Sequence, residues 1–146
     1  MVKVFRLTEY TPEIGEVVRR LLIEVSRSGK DKGKIPEEWF RELIESPYHD
    51  LLIAEEDGTI LGMATVSVVF GVSKKKFAYL EDFVVFSTAR GKGVGGAIWE
   101  EVLNWAKEKG CTKLEFDSGR GREVAQRFYL NRGAEIYETN FFRKEI

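Results

Sequence analysis

A run of four glycines in six residues, Gly91-Lys92-Gly93-Val94-Gly95-Gly96, separates an apolar stretch over residues 80–86 from a stretch of helical periodicity. Each glycine in a helix start is unfavourable by roughly 1 kcal/mol relative to alanine. A turn with positive φ needs one glycine or two. Four are explained when backbone must approach a ligand closely, with bare N–H groups at a helix N-terminus facing an anion. The run therefore predicts a strand, a phosphate cradle and a helix in succession.

Around that unit, 146 residues suffice for one domain, 1–146, with a single core, and an apolar fraction of 43% supports a packed protein. The net charge of -1 gives no global field for nucleic acid or an anionic membrane. One cysteine, Cys111, rules out an internal disulfide and Cys-based metal clusters, and the lone His49 leaves His-rich metal sites and a Ser-His-Asp triad poorly supplied, so no metal is expected. No apolar run reaches spanning length and the N-terminus lacks a signal pattern, so a cytoplasmic protein is expected.

Alternation over residues 2–7 predicts a first strand. Thr11 offers an N-cap with Pro12 at the first helical position, and apolar residues from Ile14 to Val25 recur on one helical face. A basic loop over 26–34 leads to a short helix started by Pro36, with Trp39, Phe40, Leu43 and Ile44 on one side. Asp57-Gly58 joins two strands, 50–56 and 60–70, as a hairpin, and 77–86 is a third. A helix over 93–109 turns Ile98, Trp99, Val102, Leu103 and Ala106 inward and ends at Gly110. A strand over 112–117, a helix over 122–131 closed by Gly133, and a final strand pair at 134–139 and 140–145 complete the order. Strands and helices so ordered imply an α/β fold, a mixed sheet with helices on both faces.

By letter pattern Gly91, Gly93 and Gly96 also satisfy the dinucleotide fingerprint, with Asp117 near the place of a ribose-binding acid. Three facts oppose it. Residues 87–90 intervene between the strand and the glycines, antiparallel hairpins precede them, and only 29 residues follow Asp117. No Gly-Lys-Ser/Thr follows the glycines, which excludes a P-loop.

With Arg90 included, the run fits Arg/Gln-x-x-Gly-x-Gly/Ala. Together with Leu80-Glu81-Asp82-Phe83-Val84-Val85 upstream and Ala125-x-x-Phe128-Tyr129 before Gly133-Ala134 downstream, it resembles the GNAT superfamily of N-acetyltransferases. The resemblance covers residues from about 78 to 137. It implies a single-domain, mostly antiparallel mixed sheet with a splayed central strand pair. It also implies acetyl-coenzyme A (acetyl-CoA) as co-substrate and acetyl transfer to a primary amine of a small molecule or peptide.

Carried onto this sequence, the resemblance gives Arg90, Gly91, Lys92, Gly93, Val94, Gly95 and Gly96 to the pyrophosphate. It gives the backbone of Phe83, Val84 and Val85 to the pantetheine arm. Tyr129 matches the tyrosine that protonates the departing thiolate; a phenol of pKa near 10 carries its proton at neutral pH. The acceptor amine must lose a proton, at roughly 4–5 kcal/mol for a pKa near 10.4 at pH 7. Glu81 and Asp82, consecutive acids in an apolar run, are the candidate bases, and a water relay also stands. Strand alternation turns only one of the two toward the cleft. Where many members carry Asn three residues before the motif alanine, this chain has Arg122, a candidate contact for a phosphate or an acidic acceptor group.

The acceptor is expected among the basic loop 27–34, the second helix and the strand near Phe70. The lysines there fit either an acidic acceptor or a solvated loop. Phe141 and Phe142 fit strand pairing across a homodimer. A non-catalytic CoA-binding sensor module and an NAD-binding oxidoreductase are the alternative functions.

Overall fold

The computed structural model describes residues 1–73 and 75–146, which fall into two compact units, Met1–Phe116 and Asp117–Ile146. The first holds β1 (Lys3–Arg6), α1 (Pro12–Val25), α2 (Glu37–Glu45), β2 (His49–Glu56), β3 (Thr59–Val69), β4 (Phe77–Val85), α3 (Val94–Glu108) and β5 (Leu114–Glu115). The second holds α4 (Glu123–Leu130).

The strands stand in chain order, β1-β2-β3-β4-β5. The first three pairings are antiparallel and β4–β5 is parallel. A sheet built of sequential hairpins is not the doubly wound parallel sheet that a dinucleotide site requires. The hairpin turn adopts positive φ at both central residues, 50° at Asp57 and 78° at Gly58, the geometry that matches strand twist. At the start of α1, the Thr11 hydroxyl accepts the Ile14 N–H at 3.2 Å, and Pro12 opens the helix without a missing bond.

Leu51, Leu52, Ile53 and Ala54 are consecutive in β2 and all are buried, so both faces of the sheet are covered. On one face Leu51, Ile53, Met63 and Val84 pack with Val18 and Leu21 of α1 and Phe40 of α2. The other face carries α3, which packs on β2, β3 and β4 and buries Ile98, Trp99, Val102 and Trp105.

Several expectations are corrected. Trp39, assigned to the inner side of the second helix, is 63% exposed. Phe40 holds the centre of that short face, packed against Tyr10 in a tilted contact with ring centroids 5.1 Å apart, and the stripe is too narrow for both Phe40 and Trp39. Trp105, omitted from the inner face of α3, is fully buried, because that face is wider than the five positions chosen. The strand expected over 112–117 is reduced to Leu114–Glu115.

The strand pair expected at 134–139 and 140–145 does not form. An isolated hairpin gains too little from its own ladder to hold together in water. What α4 does have is a full C-terminal stop. Gly133 takes φ 87°, its N–H bonds the Leu130 carbonyl at 3.1 Å, and the Ala134 N–H bonds the Tyr129 carbonyl at 3.1 Å. Among the described residues, no helix is long and apolar enough to cross a membrane.

Candidate active site

The chain leaves β4 through a 3₁₀ turn, Ser87–Ala89, and reaches α3 through Arg90, Gly91, Lys92 and Gly93. Gly91 and Gly93 sit at φ 76° and 83°, the left-handed region that disfavours a side chain. Gly93 caps α3 with no side-chain bond, and the first helical bond runs from Ala97 N–H to its carbonyl at 3.0 Å. The N–H groups of Val94, Gly95 and Gly96 precede that bond, at the positive end of the helix dipole. Val94 buries its side chain and anchors this turn, while Gly91, Lys92 and Gly93 are exposed. The loop thus presents backbone donors and one lysine, chemistry suited to an anion.

Arg90 is tied at both ends of its guanidinium. Its Nε–H donates to the Val85 carbonyl at 3.2 Å, and its Nη2 lies 3.6 Å from Glu24 Oε2. The same Glu24 accepts the Ser87 N–H at 2.8 Å and the Ser87 hydroxyl at 3.3 Å. Sequence reasoning missed Glu24. Its signal is that of a lone acid within the apolar end of α1, Leu21-Leu22-Ile23-Glu24-Val25.

Strand β4 pairs with β5 only at Ala78↔Leu114 and Tyr79↔Glu115, and then runs on to Val85. This short pairing is the splay of the central strands. Beyond Tyr79, no described strand pairs with that edge of β4, where Phe83, Val84 and Val85 lie. On its other edge, β4 pairs Thr65↔Glu81 and Met63↔Val84, so Asp82 and Phe83 together oppose Ala64. That is a β-bulge, and Asp82 takes φ 48° to make it. A non-glycine residue there carries strain of order 1–3 kcal/mol, held in place by its surroundings. The Thr65 hydroxyl donates to Asp82 Oδ2 at 3.1 Å. The simple alternation expected for Glu81 and Asp82 is therefore broken. Gly62 answers the same crowding, since a Cβ there would lie 2.7 Å from the Val84 carbonyl oxygen.

Asp82 lines a cleft of about 470 Å³ formed by the C-terminal half of α1 and the loop that follows. Leu22, Ile23, Val25 and Ile35 make its apolar wall, and Arg19, Arg27, Lys30 and Lys32 bring positive charge. Asp82 is the one acid of the lining, and Glu81 is not part of it. Of the three elements expected around an acceptor, the loop between α1 and α2 lines this cleft, and α2 and the strand near Phe70 do not.

The second unit carries Arg122 and Tyr129. Arg122 stands at the N-cap of α4, and Tyr129 packs edge-on against Phe128 with ring centroids 5.6 Å apart. Burial raises the Tyr129 phenol above its ordinary value of 10, and the positive charge of Arg122 works against that rise. Gln126 steadies the approach to α4 by donating to the Gly119 carbonyl at 2.7 Å. No group of three or more His, Cys, Asp or Glu side chains with metal-holding geometry occurs among the described residues.

Known proteins resemble this chain in sequence and in fold. The family described as "Acetyltransferase (GNAT) family" matches residues 18–134. An aminoglycoside N(6')-acetyltransferase type 1 from Serratia marcescens is 30% identical over 112 residues, 73% of this chain and 77% of its own. A thialysine N-epsilon-acetyltransferase from Bos taurus is 28% identical over 130 residues, 81% of this chain and 76% of its own. Among solved structures, an aminoglycoside acetyltransferase from an uncultured soil metagenomic sample superposes with a TM-score of 0.85 at 19% identity, covering 100% of this chain and 99% of that one. The last is a likeness of fold.

Proposed function

The chain belongs to the GNAT family of acetyltransferases, and on that premise we propose that it moves acetyl from acetyl-CoA directly to the primary amine of a small molecule or peptide. It is an acyltransferase by membership. The observation that carries the finer reading is the presence, within the first unit, of a glycine loop at a helix N-terminus, a strand β4 that runs on past its pairing with β5, and a cleft lined by Asp82.

The donor fits these residues. Gly91, Gly93 and the N–H groups of Val94, Gly95 and Gly96 form the cradle for a pyrophosphate, with Arg90 and Lys92 adding charge. Phe83, Val84 and Val85, in the stretch of β4 beyond its pairing with β5, would give backbone partners to an arm containing amides. When bound, the donor supplies a thioester whose acyl carbon an amine can attack. Arg122 offers a further positive charge to a phosphate.

On the acceptor side, Asp82 holds the ammonium and takes its proton, directly or through a water, with Glu81 beside it as the other candidate base. The cleft supports Asp82, because it is the carboxylate on that surface. Tyr129 gives its phenolic proton to the departing thiolate. The names of the Serratia and bovine relatives support a small-molecule amine as acceptor. Residues 1–146 serve as one catalytic domain in this proposal.

Two measurements test it. Acetyl-CoA at a hundredfold excess over its Kd is expected to stabilise the protein by about 2.7 kcal/mol, several degrees in Tm, with no such effect of NAD. Free thiol should then appear when an amine panel is added. Stabilisation by NAD alone, or donor binding with no thiol released from any amine, would overturn the assignment, the latter in favour of a sensor. Homodimerisation is proposed from Phe141 and Phe142, which are 71% and 85% exposed. Sedimentation at micromolar concentration should give twice the chain mass, and a monomer would refute it.

A further inference from the structure

The charge of the cleft is specific enough to narrow the acceptor. Arg19 is the one cation of its lining with carboxylate partners. Its Nε–H donates to Glu16 Oε2 at 2.9 Å, and another of its nitrogens pairs with Asp31. Asp31 in turn accepts the Gly33 N–H at 2.8 Å, and the Ser28 hydroxyl accepts the Lys30 N–H at 3.3 Å. These bonds fix the loop with Asp31 turned to Arg19 and with Lys30 and Lys32 on either side of it, both lining the cleft. Among the described residues, no ion pair engages Arg27, Lys30 or Lys32. Three cations without carboxylate partners thus share one small cleft with a single acid, Asp82.

A polycationic acceptor would bring several ammonium groups against that field, with one carboxylate to receive them. A neutral amine would leave the three cations unused. We propose that the acceptor is a primary amine that also carries an anionic group, a carboxylate or a phosphate. The amine sits at Asp82 and the anion is held by Lys30, Lys32 and Arg27. Small ligand sites span about 300–1,000 Å³, so the cleft takes one compact molecule. This inference rests on the acetyltransferase reading above and specifies its second substrate.

The test uses matched acceptors in the thiol-release assay: an aminoalkyl carboxylate with its amide, an aminoalkyl phosphate with its alcohol, and a polycationic amino sugar. At least one anionic member should exceed its neutral twin by about tenfold or more in kcat/KM. Which pair shows the larger ratio separates carboxylate from phosphate. Raising salt toward 1 M, where screening acts within about 3 Å, should erode the preference.

In the Lys30→Glu/Lys32→Glu double variant, KM for the preferred anionic acceptor should rise by about tenfold or more. KM for its neutral twin, which is still an ammonium, should not rise, and the calorimetric Kd for acetyl-CoA should stay unchanged. An unchanged donor Kd also reports that the variant is folded, and the salt series on the parent protein needs no variant. Equal or better turnover of the neutral twins or of the polycation overturns the inference and leaves the acetyltransferase reading intact. Absence of donor binding and of thiol release with every amine takes down both.

Discussion

Tyr129→Phe is expected to lower kcat by about 100-fold or more, the ordinary contribution of a positioned general acid, with acetyl-CoA affinity unchanged. The substitution removes one hydroxyl and keeps the ring. The edge-on contact with Phe128 and the helix stop at Gly133 both survive it. Burial holds the phenol above its ordinary value of 10, so the proton is present throughout the neutral range. The sign follows: this group supplies its proton fully at low and neutral pH and loses it only as pH passes the raised value. Giving that proton to a thiolate of pKa near 8.5 is uphill in water. Desolvation raises the pKa of a thiolate too, and Arg122 draws the phenol downward, so both effects narrow the gap. A Tyr129→Phe protein with full turnover would remove Tyr129 from the acid role.

The largest expected loss of stability falls at Trp105. Its side chain is fully buried under the sheet face that α3 covers, and its indole N–H donates to Asp50 Oδ2 at 2.7 Å. Trp105→Ala leaves a cavity and strands that carboxylate, and should cost about 3–5 kcal/mol. Trp105→Phe keeps much of the ring and loses the hydrogen bond, with about 1–3 kcal/mol expected from the unsatisfied acceptor. Urea unfolding measures both through the midpoint at constant m. An alanine variant within 1 kcal/mol of the parent would contradict the packing of α3 described above.

Much of the fold was legible because local signals and burial agreed. Thr11-Pro12 marked the start of α1, Asp57-Gly58 marked the hairpin, and the glycine run marked the join of β4 to α3. Those signals are short-range, and the backbone must satisfy them whatever lies elsewhere. The bulge at Asp82 was not legible. It depends on how β4 meets β3 opposite Ala64 and Gly62, a register that no local pattern in Leu80-Glu81-Asp82-Phe83 declares. The role of Glu24 was hidden for the same reason, since its partners Ser87 and Arg90 lie more than sixty residues away. Ile136-Tyr137 and Phe141-Phe142, apolar pairs in an otherwise polar tail, looked like strand segments, and pairing was the missing requirement. The basic loop 27–34 was legible as a charged stretch, but the cleft it shares with Asp82 was not, because the loop's shape is set by the Arg19–Asp31 pair.

The splay between β4 and β5 carries a second consequence. An unpaired strand edge is a template for any extended chain, and sheets that leave one open invite growth by a neighbouring molecule. Here the open stretch is short, ending at Val85, and the bulge at Asp82 and Phe83 interrupts its regular run of donors and acceptors. A kinked edge of this length is poorly matched to a full protein strand, while a thin flexible arm with few amides needs only a few of its groups. The fold can thus leave this stretch of β4 without a strand neighbour and still discourage self-assembly along it.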